Sequence, residues 1–135
     1  MTLNVPDLIA PMVATHKSGA NLTLEWRLHQ LNTLMLMITE CEKDITDALY
    51  HDLRKERTEC MYSEILVVKR EINTFLNGLK GWMKPEKAAT PGACAPSVCE
   101  ILSVPLAEPG VLIIAPFNYP VSLALMATVG AFGGE

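Results

Sequence analysis

What this sequence is short of narrows its function before any motif is considered. Basic residues are outnumbered, eleven Lys and Arg against fifteen Asp and Glu, and the net charge is −4. A chain without a cationic surplus cannot neutralise phosphates and release their counterions, so no nucleic-acid partner is expected. The same shortage removes attraction to an anionic membrane surface. The stretch from Met1 to Ala14 carries no Lys or Arg and includes Pro6, Asp7 and Pro11. A secretory leader with a basic start and a clean apolar run does not read this way, nor does an arginine-rich transit peptide; a cytoplasmic setting is the expectation. The four cysteines, Cys41, Cys60, Cys94 and Cys99, include no C-x-x-C pair, and His16, His29 and His51 lack a second ligand at helical spacing. No metal site is expected from them, and reduced, partly buried thiols are.

Half of the residues are apolar and 19% are charged, which places the chain among globular domains rather than disordered ones. The charge is unevenly placed. Every Lys and Arg lies at or before Lys87, and only Glu100, Glu108 and Glu135 follow. Pro85, Pro91, Gly92 and Pro96 mark residues 85–96 as a connector. Before it the pattern is helical. Leu24, Leu28, Leu31, Met35, Ile38, Ile45, Leu49 and Leu53 fall on one stripe, interrupted at Glu42, so two helices or a bend are expected there. Thr23 can cap the start, with Glu25 in the first turn. Met61, Ile65, Val68, Ile72, Phe75, Leu79 and Trp82 form a second stripe, closed by Gly81 and Pro85.

After the connector the period changes. Val98, Ile101, Leu102 and Val104 read as short strands around Pro105. Gly110 to Ala115 is an uncharged run of strand length without alternation, as in a strand covered on both faces of a parallel sheet. Pro116-Phe117-Asn118-Tyr119-Pro120 must turn, and Val121 to Phe132 reads as a buried helix ending at Gly133-Gly134. Strand, turn and helix make the opening half of a βαβ unit. The expected architecture is therefore α/β: a helical segment over residues 1–90, then short strands and the incomplete start of a Rossmann-like nucleotide-binding domain over 91–135. Asn118 would stand at the carboxyl end of that strand, where open α/β sheets bind ligands. Its amide could donate to an oxyanion; equally, Asn serves turns because it tolerates their dihedrals. Pro109 to Gly134 is uncharged and long enough to cross a bilayer, but its prolines, Asn118 and the lack of basic flanks argue against a membrane span.

Several blocks resemble the aldehyde dehydrogenase superfamily, specifically its class 3, fatty or long-chain aldehyde branch. They are Asp47-Ala48-Leu49, Asp52-Leu53-Arg54-Lys55, Tyr62-Ser63-Glu64-Ile65, Glu71-Ile72, Trp82-Met83-Lys84-Pro85-Glu86-Lys87, Thr90-Pro91 and, above all, Glu108 through Ile114-Ala115-Pro116-Phe117-Asn118-Tyr119-Pro120. The last is similar to the family's Pro-Trp-Asn-Tyr-Pro signature. The resemblance implies a truncated aldehyde dehydrogenase fold and the oxidation of an aldehyde to its acid with NAD or NADP. It implies that Asn118 is the oxyanion donor and that Ala115, Pro116 and Phe117 line the nicotinamide side of the cofactor site. It also implies an aldehyde substrate and a homo-oligomer. The family's nucleophilic cysteine and its general-base glutamate lie downstream of this signature, whereas all four cysteines here precede Asn118. The 135-residue chain by itself is expected to be inactive; the alternative is a non-catalytic truncated subunit that docks onto a full-length partner. Phe117 stands where the family has Trp, the Gly110–Asn118 stretch is shorter than usual, which bears on strand register, and Phe132-Gly133-Gly134-Glu135 departs from the family's ending of this helix.

Overall fold

The computed structural model describes residues 4–94, 96–104 and 110–133. Pro105, Glu108, Pro109, Gly134 and Glu135, named above, lie outside the described residues. The described helices are α1 (Val5–Lys17), α2 (Leu24–Glu40), α3 (Glu42–Leu53), the short α4 (Arg57–Cys60), α5 (Leu66–Trp82) and α6 (Pro120–Gly133). A π-helical turn, Met61–Ile65, joins α4 to α5. Strands β1 (Glu86–Ala88) and β2 (Cys99–Ile101) pair antiparallel, with Glu86 opposite Ile101 and Ala88 opposite Cys99.

Local chemistry sets the helix ends. Thr23 Oγ1 accepts from the Trp26 N–H at 3.2 Å, satisfying one of the four unpaired donors that open α2. The long stripe breaks at Cys41, and Glu42 begins α3. Its carboxylate reaches across to Lys69 of α5 at 3.4 Å and to Arg57 at 3.6 Å, which explains a charge beside an apolar stripe. At the far end of α3, Arg54 takes a left-handed conformation, φ 56°. That conformation costs a residue with a side chain about 1–2 kcal/mol. It stops the helix, with the Arg54 N–H donating to the Tyr50 carbonyl at 3.0 Å, and leaves the next residue, Lys55, buried.

The core lies between α2, α5 and α6. Leu31, Leu34 and Ile38 of α2 meet Ile65, Val68, Ile72 and Leu79 from the second stripe and Val129 of α6. Burying each such side chain is worth about 1.5–3 kcal/mol. At the end of α6 the Phe75 ring closes on Gly133 so tightly that a Cβ there would lie 2.0 Å from Cδ1. Buried Arg27 donates from Nη1 to the Gly133 carbonyl at 3.1 Å, a cation at the negative end of the helix.

Three features add to the sequence reading. The Gly110–Ala115 run, expected as the first strand of a Rossmann-like parallel sheet, joins no ladder among the described residues. The sheet found there is the β1–β2 hairpin, and the described fold is mainly helical. A parallel strand bonds to neighbours reached by long crossovers, and no described segment supplies one. From Leu112 onward the run alternates in exposure: Leu112 and Ile114 are 84% and 86% exposed, while Ile113 and Ala115 are partly buried. One face rests on the protein and the other is bare. Second, the connector at 85–96 contains β1 and a 3₁₀ turn, Gly92–Cys94. Third, α1 runs through Pro11 and buries none of its residues fully, so it was invisible as a stripe. No helix among the described residues is long and apolar enough to cross a membrane; α6 has 14 residues, against about 20 needed to span one.

Candidate functional site

The turn leading into α6 is anchored by two buried ionic side chains from elsewhere in the chain. Glu64 belongs to the π turn, where the extra residue lets both Glu64 and Ile65 face inward; each is fully buried. Lys55 is 8% exposed. Its ammonium Nζ lies 2.6 Å from Glu64 Oε1, donates to the Asn118 main-chain carbonyl at 2.8 Å, and sits 3.7 Å from the centroid of the Tyr119 ring. Its three donors are thereby offered to two oxygens and an aromatic face.

The second carboxylate oxygen, Glu64 Oε2, accepts from the Ser122 N–H at 2.8 Å and from the Val121 N–H at 3.2 Å. Helix α6 opens on Pro120, which has no N–H to leave unpaired. Val121 and Ser122 are the next donors at the positive end of the helix, where a carboxylate is favoured. Removing one partner of such a buried pair strands the other charge and costs about 3–5 kcal/mol. Cys60 is buried at the same junction and its thiol donates to the Lys55 carbonyl at 3.5 Å. Burial pushes this thiol's pKa up, with the Lys55 charge opposing, so Cys60 is held neutral and is not an activated nucleophile.

The residues expected to carry chemistry are contiguous here. Ala115 is partly buried, and Pro116, Phe117 and Asn118 are exposed, Phe117 at 79%. Asn118 thus has a fixed main-chain carbonyl and a solvent-facing side chain. Phe117, with Pro120 and Val121, walls one side of a cavity of about 270 Å³; Leu49, Asp52 and Leu53 of α3 wall the other. A dinucleotide fold presents the N–H groups of a βα turn to a pyrophosphate. In this turn the donors of Val121 and Ser122 are already bonded to Glu64. This turn therefore has neither of those two N–H groups free for a pyrophosphate. What it offers is an exposed apolar edge at Pro116 and Phe117 beside partly buried Ala115.

No protein-family model matches the chain. Individual relatives do. The chain is 40% identical over 117 residues to an aldehyde dehydrogenase of Craterostigma plantagineum, covering 87% of this chain and 24% of that one. It is 37% identical over 124 residues to aldehyde dehydrogenase family 3 member I1, chloroplastic, of Arabidopsis thaliana, covering 92% and 22% respectively. With the dimeric NADP-preferring aldehyde dehydrogenase of Canis lupus familiaris it shares 33% over 127 residues, 94% of this chain and 28% of that one. The fold matches Staphylococcus aureus AldH, solved in a substrate-bound state, with a TM-score of 0.89 and 30% identity over 98% of this chain and 28% of that one. Sequence and fold place the chain with aldehyde dehydrogenase family 3.

This family 3 segment spans about a quarter of the length of the curated relatives it matches. Within it, sequence reasoning found the exposed turn and missed its anchors. Lys55 and Glu64 were visible as members of resembling blocks but were given no role. Glu64 carried a signal: it lies three residues after Met61 and four before Val68, on the inward stripe. A carboxylate at a core position asks for a buried cation. Which of the many lysines answered could not be read, because Lys55 reaches the site through the left-handed turn at Arg54.

Proposed function

We propose that this segment serves the oxidation of an aldehyde to a carboxylic acid within a longer aldehyde dehydrogenase. The substrate is a medium- or long-chain aliphatic or aromatic aldehyde, the working form is a homo-oligomer, and the compartment is the cytoplasm, although the Arabidopsis relative is named as chloroplastic. NAD or NADP, when bound, accepts hydride. In that enzyme residues 1–90 are the helical layer and 91–135 begin the nucleotide-binding domain, with Gly110–Ala115 paired as a strand. Ala115, Pro116 and Phe117 line the nicotinamide side.

One observation carries the reading: Asn118 combines an anchored carbonyl with an exposed amide, in a turn bounded by Pro116 and Pro120. A donor held in place before reaction stabilises the oxygen that gains charge when a nucleophile adds to the aldehyde carbonyl, without reorganising to do so. In the longer enzyme, Asn118→Ala is expected to lower kcat roughly 10²- to 10³-fold with hexanal as substrate. Turnover equal to the parent would sink the role. The 135-residue chain alone is expected to form no NADH or NADPH from aldehyde.

A second reading is favoured by the bare apolar face of Leu112, Ile114 and Phe117. The short chain docks through it onto a full-length subunit without catalysing anything itself. Retention of a full-length aldehyde dehydrogenase on the immobilised chain, lost with Leu112→Asp/Ile114→Asp, is the expected result. Retention unaffected by those charges would overturn it.

A further inference from the structure

We propose that Lys55 is a positioning residue for the oxyanion donor, acting on Asn118 through its main-chain carbonyl, with Glu64 as the fixed base of the arrangement. The inference rests on the role proposed for Asn118. Five contacts carry it. Lys55 Nζ holds the Asn118 carbonyl at 2.8 Å and the Tyr119 ring at 3.7 Å. Glu64 holds Lys55 at 2.6 Å and, from its other oxygen, the N–H groups of Val121 and Ser122. Four of the five residues from Asn118 to Ser122 are therefore gripped by two side chains, and the fifth, Pro120, has a ring-fixed φ. Neither side chain is free to serve substrate directly: Glu64 is fully buried and Lys55 nearly so.

The anchoring is one-sided in a useful way. The carbonyl carbon of Asn118 is one bond from its Cα, so fixing the carbonyl fixes the origin of the side chain while leaving the amide exposed. Catalytic groups need placement within about 0.5 Å, and a shift of about 1 Å can cost roughly 10²-fold in rate. An ion pair whose cation binds no substrate atom but fixes this peptide acts on rate, not on affinity.

The test uses the aldehyde dehydrogenase that carries this segment, with hexanal and either nicotinamide cofactor. Lys55→Met is expected to lower kcat roughly 10- to 100-fold while KM for hexanal stays within about threefold. Because Lys55→Met strands a buried carboxylate and can unfold the protein, Lys55→Met/Glu64→Gln is made alongside it. Gln retains an oxygen for Val121 and Ser122 and removes the unpaired charge, yet still leaves the Asn118 carbonyl without its ammonium donor. Both are repeated in the Asn118→Ala background. If Lys55 works through Asn118, removing it there costs less than about threefold more in kcat. An equal fractional loss in both backgrounds would mean that the pair is structural only, and no loss in the parent background would mean that Asn118 needs no anchor; either overturns the inference. Should Asn118→Ala be as fast as the parent, the oxyanion role fails first, a result distinguishable because it appears without touching Lys55.

Discussion

Two regions of this chain treat their apolar residues in opposite ways. In the α2–α5–α6 layer, Leu31, Ile38, Ile65, Val68, Ile72 and Val129 are wholly out of solvent. Between the β1–β2 hairpin and α6, residues of the same chemistry, including Leu102, Val104, Leu112 and Ile114, are more than half exposed. The difference is not in composition but in where the partners are. The helices of that layer meet one another, whereas the Gly110–Ala115 run joins no ladder among the described residues. An apolar residue is a demand for a partner, and only part of this chain meets that demand from its own described residues.

The sharpest way to break the comparison is to make the same truncation in both regions. Ile72→Ala is expected to destabilise by about 2–5 kcal/mol, and Ile114→Ala, at 86% exposure, by less than about 0.5 kcal/mol, both read from urea midpoints. Equal losses would show that Ile114 is buried in solution, by self-association if by nothing else. Next in size is Gly133→Ala. Its Cβ would meet the Phe75 ring, and overpacking of this kind costs about 1–3 kcal/mol; relief in Gly133→Ala/Phe75→Leu would confirm the cause. The smallest effect sets one thiol against another. Cys94 is exposed and Cys60 buried, so iodoacetamide is expected to label Cys94 in the native protein and Cys60 only as it unfolds. Because burial raises the Cys60 pKa, the folded state holds that proton more tightly. The associated stability is complete below the unfolded value, about 8.5, and is lost as pH rises through the folded one. The parent is therefore expected to lose stability between pH 8 and 10 more steeply than Cys60→Ala.

The same division governed what could be read beforehand. Spacing found α2, α3 and the second stripe, because each carries its period in its own letters; α6, apolar nearly throughout, was read from its uncharged run after the Pro-rich turn. Thr23 and the break beside Glu42 were legible for the same reason. The helix α1 was not, since it presents no buried stripe and contains Pro11. Strand β2 falls within the stretch read as short strands, but its partner escaped because β1 has three residues, Glu-Lys-Ala, with no β-forming character. The uncharged run at Gly110–Ala115 reads as a strand from its composition, yet a ladder is a property of two segments, and one letter string cannot show that the second is at hand. In the candidate site, the turn at Asn118 was marked out by its prolines and by resemblance. The Lys55–Glu64 pair was not, because it depends on a backbone turn and a π turn that no periodicity announces.

The π turn has a further consequence. It carries an extra residue between the end of α4 and the start of α5, and each helical residue turns the chain by about 100°. Deleting one residue from Met61–Ile65 would close that turn to α-helix with its flanks nearly in place, and would remove the extra position that lets Glu64 and Ile65 both face inward. Substitution is a different matter: Glu56, Arg57, Thr58, Glu59 and Tyr62 are all exposed. At those exposed positions a lineage is free to change its letters, but along the stretch it is not free to change their number.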